Sequence, residues 1–277
     1  MKLVLPVSDF NLEHTLECGQ AFRWEKTGGF YYGVIGERLL RVKYDGRRLI
    51  CESDRPLNKK EAAEYFGLNE DLPCILREID VDKHIHKAVL KFRGLRILNQ
   101  GHWECLASFI LSSYNNIPRI KKMIGKLSEN FGKRLTLGRV EGYSFPTAAK
   151  IAKVKIGDLR RLGLGFRAEY LKDAARKISS GKLDLDRLED LNYEEAKKDL
   201  ISLKGVGEKV ADCALLFSFK KYEAFPVDVW IKRGIEDLYF KRRAVAQKKI
   251  AEFARGRFGR YAGYAQEYLY HYLRHKS

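Results

Sequence analysis

The 277-residue chain has six prolines, five cysteines and no apolar run near the ~18 residues that a membrane-spanning helix needs. The few prolines exclude collagen-like and low-complexity classes. There is no internal repeat at solenoid spacing. The cysteines, Cys18, Cys51, Cys74, Cys105 and Cys213, form an odd, scattered set. None makes a CxxC pair and no histidine stands beside them at ligand spacing, which argues against a disulfide framework or a zinc site. They read as reduced, mostly buried thiols. Acidic residues are also the minority, 36 Asp+Glu against 53 Lys+Arg, a net charge of +17. What the chain does have is 45% hydrophobic residues, enough for a buried core, so disorder is excluded as its main state.

The positive charge gathers towards the C-terminus, where residues 231–277 hold 12 Lys+Arg and 4 Asp+Glu with tyrosines interleaved. Phosphates take up such charge and bases stack on such rings, so a nucleic acid is the expected partner. A membrane surface would call for an isolated basic amphipathic helix, and none is evident.

The first ~55 residues read as β structure. Residues 30–36 and 38–44 are β-rich, Gly28-Gly29 marks one turn, and Asp45-Gly46 is a strong hairpin turn before Leu49-Ile50-Cys51. From Asn58 onward the pattern is helical, with helices expected over 59–65, 81–91, 102–114, 117–131, 147–151, 156–161, 168–180 and 193–202. The segment 102–114 is apolar nearly all round and so reads as a central buried helix. The expected fold is α+β: a small antiparallel sheet domain over 1–80, then an α-helical domain over 81–277.

The most informative stretch is Leu203-Lys204-Gly205-Val206-Gly207-Glu208-Lys209-Val210-Ala211-Asp212-Cys213. One helix ends near Ser202, Gly205-Val206-Gly207 makes a tight turn, and a second helix starts near Glu208. Such a turn lets a phosphate approach backbone N–H groups and a helix N-terminus. Aliphatic Leu203, Val206 and Val210 flank the glycines, giving the look of a helix–hairpin–helix DNA-binding element. Lys209 falls in the first turn of the second helix, where a cation opposes the helix macrodipole; the neutral amine is the form a nucleophile needs. Nineteen residues on, Pro226-Val227-Asp228 places Asp228 at an N-cap position. Read locally, Lys209 is a phosphate contact or a nucleophile, and Asp228 is a cap, a catalyst or both.

These residues, with Cys18-Gly19-Gln20-Ala21-Phe22-Arg23-Trp24, the Ser112–Ile120 and Leu162–Tyr170 segments and Gly263-Tyr264-Ala265-Gln266-Glu267-Tyr268-Leu269-Tyr270, resemble the 8-oxoguanine DNA glycosylase/AP lyase family of the helix–hairpin–helix glycosylases. The resemblance spans nearly the whole chain. It implies an N-terminal domain like the TATA-binding-protein fold and a monomer acting on double-stranded DNA that contains oxidised guanine. It also implies a cytoplasmic, nucleoid-associated place in a prokaryote or a nuclear one in a eukaryote. Branches that carry an iron–sulfur cluster hold it with C-terminal cysteines; the last cysteine here is Cys213, so no cluster and no cofactor are expected.

By the same resemblance, Lys209 attacks the sugar C1′ of an extruded nucleotide and forms a Schiff base, and β-elimination nicks the strand. Asp228 stabilises the oxocarbenium charge. Gly19, Cys213, Gln266 and Tyr270 form the base pocket, the Gly19 carbonyl accepting the N7–H that oxidised guanine has. Phe166 is the wedge, and Arg119 and Arg167 read the orphaned cytosine, with Tyr114 and Asn115 in the same loop. Gly205, Gly207, Val210 and Trp230 meet the DNA backbone, and a structural cation is expected to bridge the carbonyls of Ile201, Leu203 and Val206 to a phosphate. Two positions depart from the family's well-known members: Tyr114 replaces an asparagine and Trp230 a histidine, which puts the matching contacts in doubt. The competing readings are a monofunctional glycosylase for another base, against which Lys209 argues, and a non-catalytic DNA-binding module.

Overall fold

In a computed structural model that describes residues 1–275, the chain starts with β1 (Lys2–Pro6) and α1 (Leu12–Glu17). The strands β2 (Glu25–Thr27), β3 (Phe30–Ile35), β4 (Arg38–Tyr44) and β5 (Arg48–Ser53) follow, and with β1 they form one antiparallel sheet of order β1-β5-β4-β3-β2. The Asp45-Gly46 turn forms as its sequence dictates. Asp45 Oδ1 accepts the N–H groups of Arg47 and Arg48 at 3.0 and 2.8 Å, and Gly46 takes φ +91°. Inward residues Leu40, Val42, Leu49 and Cys51 alternate along β4 and β5 and pack on Phe10, Trp24, Tyr65 and Phe66.

One short helix breaks the expected all-β start. Asn11 caps α1 by accepting His14 N–H at 3.0 Å, and Leu12, Thr15 and Leu16 face inward at helical spacing. The helix turns the chain under the sheet, so that Cys18 and Phe22 leave the sheet's core and pack in the helical one.

The helices α2 (Lys59–Tyr65), α3 (Leu72–Ile79), α4 (Lys83–Lys91), α5 (His102–Leu111) and α6 (Ile117–Phe131) come next. The small hairpin of β6 (Arg134–Leu137) and β7 (Val140–Tyr143) follows them. Neither α3 nor this hairpin was legible in the pattern. The hairpin is held by tertiary packing of Leu135 on Val34 and Leu39 rather than by a strong turn signal. Helix α5 is buried from Cys105 to Leu111 as expected but stops three residues short of Tyr114, which instead takes φ +49°.

The rest is helical: α7 (Ala148–Lys153), α8 (Ile156–Arg161), α9 (Arg167–Ser179), α10 (Tyr193–Ile201), α11 (Glu208–Ser218), α12 (Val229–Tyr239), α13 (Gln247–Phe258) and α14 (Ala262–Arg274). Lys276 and Ser277, inside the expected second domain, lie outside the described residues. No described helix is long and apolar enough to cross a membrane.

Buried polar groups tie the two cores together near residue 19. Gln20 Nε2 donates to the carbonyls of Thr15 and Arg96, both at 2.8 Å, and its Oε1 accepts Leu98 N–H at 2.8 Å. The Arg96 guanidinium donates to Gly67 and Glu70 carbonyls at 2.8 and 2.9 Å. Each fully desolvated donor has an acceptor, so the segment around Gly19 is fixed from below.

Candidate active site

The hairpin joins α10 to α11. Gly205 takes φ +78°, and a Cβ there would overlap the ring of Tyr170. Gly207 caps α11 in extended backbone with no side chain to satisfy the first-turn N–H groups, and a Cβ on it would meet nothing within 4 Å. Those amides therefore face open space, as an anion site requires. Val206 N–H donates to the Leu203 carbonyl at 3.1 Å, while Ile201 closes α10 at the surface. The Val210 side chain is buried, so only its backbone can meet a phosphate. Trp230 in the first turn of α12 is 46% exposed, within reach of a ligand crossing that face.

Lys209 is the second residue of α11. Its Nζ donates to Ser112 Oγ at 3.2 Å and stands 5.0 Å from the centroid of the Phe109 ring, at the end of α5. Asp228 caps α12, its Oδ1 accepting Ile231 N–H at 2.8 Å. Burial raises the Asp228 carboxyl above the usual carboxylate range, opposed by the Ile231 amide, the Lys209 ammonium, the Trp230 amide and the Arg274 guanidinium. Lys209 and Asp228 thus act on each other across the gap between two helix N-termini.

The pocket residues converge on the same place. Cys213 lies one turn beyond Lys209 on α11 and is buried. Its thiol is pushed up to about 12 by burial, against the Lys209 charge and with those of Asp212, Asp228 and Glu267. Gly19, at φ +107°, sits where a Cβ would stand 3.3 Å from Arg274 Nη1 and 3.4 Å from Tyr270 Cε1. Arg274 Nη1 donates to the Cys18 carbonyl at 3.3 Å and its guanidinium lies 5.4 Å from the Tyr270 ring centroid. Gln266, solvated on a purely local reading, is buried, with its Oε1 unpartnered.

The loop after α5 carries the other candidates. Tyr114 is 96% exposed and Phe166 48% exposed, the latter edge-on to Tyr170 at 5.7 Å. Arg119 is exposed at the start of α6. Arg167, expected at the DNA surface, points inward and is 3% exposed: Nε donates to the Ser113 carbonyl at 2.7 Å and Nη2 to the Tyr114 carbonyl at 2.8 Å. Its guanidinium also stacks on Phe166 at 4.5 Å. Asn115 turns back on its own helix, Nδ2 donating to the Leu111 carbonyl at 3.0 Å. The residues without an assigned role in the sequence reading are Ser112, Phe109, Glu267 and Arg274. Helical spacing from Gln266 and Tyr270 leads to Arg274; nothing local in the sequence points to Ser112.

Residues 2–106 match the 8-oxoguanine DNA glycosylase N-terminal domain, and residues 107–259 match the HhH-GPD superfamily of base excision DNA repair proteins. The chain belongs to the 8-oxoguanine DNA glycosylase family. The Saccharomyces cerevisiae N-glycosylase/DNA lyase is 31% identical, the alignment covering 97% of this chain and 85% of the yeast one. A Methanothermobacter thermautotrophicus protein named "Probable N-glycosylase/DNA lyase" is 31% identical over 98% of this chain and 95% of its own. The Clostridium acetobutylicum 8-oxoguanine glycosylase/lyase, solved with double-stranded DNA containing cytosine opposite 8-oxoG, superposes with a TM-score of 0.92 at 38% identity, covering 99% of this chain and 98% of that one. As in any member of this family, the reacting groups have to come to a base that duplex DNA hides. Among the described residues no group of three or more His, Cys, Asp or Glu could hold a metal ion.

Proposed function

We propose that the chain is a bifunctional DNA glycosylase/AP lyase that excises 8-oxoguanine from duplex DNA in base excision repair, with Lys209 as nucleophile and Asp228 as its carboxylate partner. The observation that carries this reading is the meeting of Lys209 and Asp228 at a pocket lined by Cys213, Gln266, Tyr270 and the Gly19 turn. The amine nitrogen bonds to C1′ as the bond from C1′ to the base breaks, and the base leaves with the electron pair. Asp228 stabilises the positive charge that builds on the sugar and can receive the proton the ammonium sheds. Ring opening leaves an iminium at C1′; loss of a C2′ proton then expels the 3′ phosphate and nicks the strand.

The reading asks for no bound cofactor, because the chain supplies both reacting groups. A cation held by the carbonyls of Ile201, Leu203 and Val206 would be structural. Duplex DNA is the partner: the open amides at Gly207 and Val210 meet phosphate, Trp230 flanks them, and Phe166 enters the gap left by the extruded base. Tyr114, standing exposed beside Phe166, supplies a ring for the orphaned base to stack on.

The test is borohydride reduction during reaction with a duplex bearing one 8-oxoguanine. The wild type should be trapped as a covalent adduct and nick the strand, and Lys209→Gln should do neither. A Lys209→Gln protein that still traps would remove the assignment. Base release without trapping or nicking in the wild type would favour a monofunctional enzyme, and DNA binding without base release a binding module.

A further inference from the structure

Two carboxylates are fully buried among the described residues, Asp212 and Glu267. Asp212 is paired with Lys197 at 3.0 Å. Glu267 is different: it lies one residue from Gln266, its Oε1 has no hydrogen-bond partner, and its other polar contact is the thiol of Cys18. Cys18 is the residue before Gly19, and its carbonyl is held by Arg274. Glu267 therefore stands behind the turn that brings a backbone carbonyl to the base pocket, and the mechanism above does not use it.

We propose that Glu267 is a positioning residue for base recognition: as the neutral acid it holds the Cys18-Gly19 turn against the pocket, and on losing its proton it releases that turn, so that base excision fails while strand nicking continues. This rests on the reading of the site as a glycosylase/lyase centre.

The groups around Glu267 make its protonation state consequential. Cys18 faces it from the end of α1, Cys213 from α11, Asp228 from the cap of α12, and Tyr270 and Arg274 from its own helix. As a neutral acid it adds no charge beside the Asp228 carboxylate. Once ionised it places a second negative charge in a site without water, and the mobile cation within reach is Arg274. Drawing Arg274 towards Glu267 takes it from the Cys18 carbonyl and from the Tyr270 ring, the two contacts that fix the pocket wall. Burial raises the Glu267 carboxyl to about 7, against the Cys18 thiol and the Arg274 guanidinium and with the help of the Asp228 charge. The change of state thus falls at neutral pH.

The experiment compares two single-turnover rates of the full chain at pH 6, 7 and 8: base release from a duplex with 8-oxoguanine opposite cytosine, and nicking of a duplex with a preformed abasic site. Both use Lys209, so its own titration cancels in their ratio, whereas only the first needs a base to be held. The ratio of base release to nicking should fall about tenfold from pH 6 to pH 8 in the wild type, as expected for one group titrating near 7. In Glu267→Gln it should be flat. A wild-type ratio that does not change with pH overturns the proposal whether or not the variant folds, and so does a Glu267→Gln ratio that still falls. Absence of base release at every pH would remove the glycosylase reading itself and this proposal with it.

Discussion

Gly205 lies against the ring of Tyr170, so closely that a Cβ on Gly205 would overlap Tyr170 Cγ and Cδ2. The same ring carries Phe166 on its edge at 5.7 Å. One aromatic side chain on α9 thus sets both the height of the phosphate-facing turn and the position of the exposed wedge. Gly205→Ala cannot relieve this by a small shift, because φ +78° is also unfavourable for alanine. The substitution should lower stability by about 1–3 kcal/mol and weaken binding to an abasic-analogue duplex by at least about tenfold, or 1.4 kcal/mol. Thermal unfolding and a fluorescence-anisotropy titration check the two effects.

Arg167 gives a prediction that separates reading a base from shaping a loop. Its guanidinium is spent on the Ser113 and Tyr114 carbonyls, which hold Tyr114 in its left-handed conformation. Lysine cannot reproduce that fork. Arg167→Lys should therefore slow excision by a similar factor opposite C, A, G and T, as measured by single-turnover rates on four duplexes. Loss confined to the cytosine duplex would mean that the side chain leaves the loop and contacts that base.

These two positions show what the sequence discloses and what it does not. Elements whose ends are set by local chemistry were legible: the Asp45-Gly46 hairpin, the helix over Lys59–Tyr65 capped by Asn58, the start of α11 after Gly207, and the Asp228 cap all stand where side chain and backbone demand them. The residues of the site were nameable because helical spacing puts Lys209 with Cys213 and Gln266 with Tyr270. The direction of Arg167 was not legible, because whether a guanidinium faces DNA or a neighbouring loop depends on carbonyls 53 and 54 residues away. The hairpin β6–β7 and helix α3 were missed for a related reason: Leu135 and Ile75 are held by distant partners, and neither segment has a strong stop or start signal.

The two helices of the hairpin are clamped by a buried ion pair. Lys197 on α10 meets Asp212 on α11 at 3.0 Å, and Tyr193 donates to Asp212 Oδ1 at 2.7 Å. Lys197 also pairs with Glu208 at the start of α11. Removing one partner strands the other charge in the core, which costs about 3–5 kcal/mol, whereas replacing both with apolar groups costs far less. Asp212→Ala should lower the unfolding free energy by that amount in urea denaturation. The double substitution Asp212→Leu with Lys197→Met should recover most of it. If the single substitution costs under about 1 kcal/mol, the pair is not what holds the hairpin helices together.

His271 sets the acid limit of the fold. It is buried on α14 among Phe92, His14 and His275, with ring centroids 4.2, 5.5 and 4.4 Å away, and neither ring nitrogen has a hydrogen-bond partner. Burial lowers it from 6.5 to about 3, and the charges of His275, His14, Arg274 and Lys91 act in the same direction. The folded state therefore keeps the imidazole neutral, while the unfolded chain takes up a proton below pH 6.5. The stability that comes from the neutral ring is complete above pH 6.5 and is lost as pH falls from there towards 3, by as much as about 4 kcal/mol. His271→Phe keeps a ring beside Phe92 and has nothing to protonate. Its unfolding free energy should exceed that of the wild type at pH 4.5 by more than it does at pH 7.5, with the gap opening as pH drops below 6.5. Chemical denaturation at four pH values measures this, and parallel pH profiles for the two proteins would show that another group controls acid unfolding.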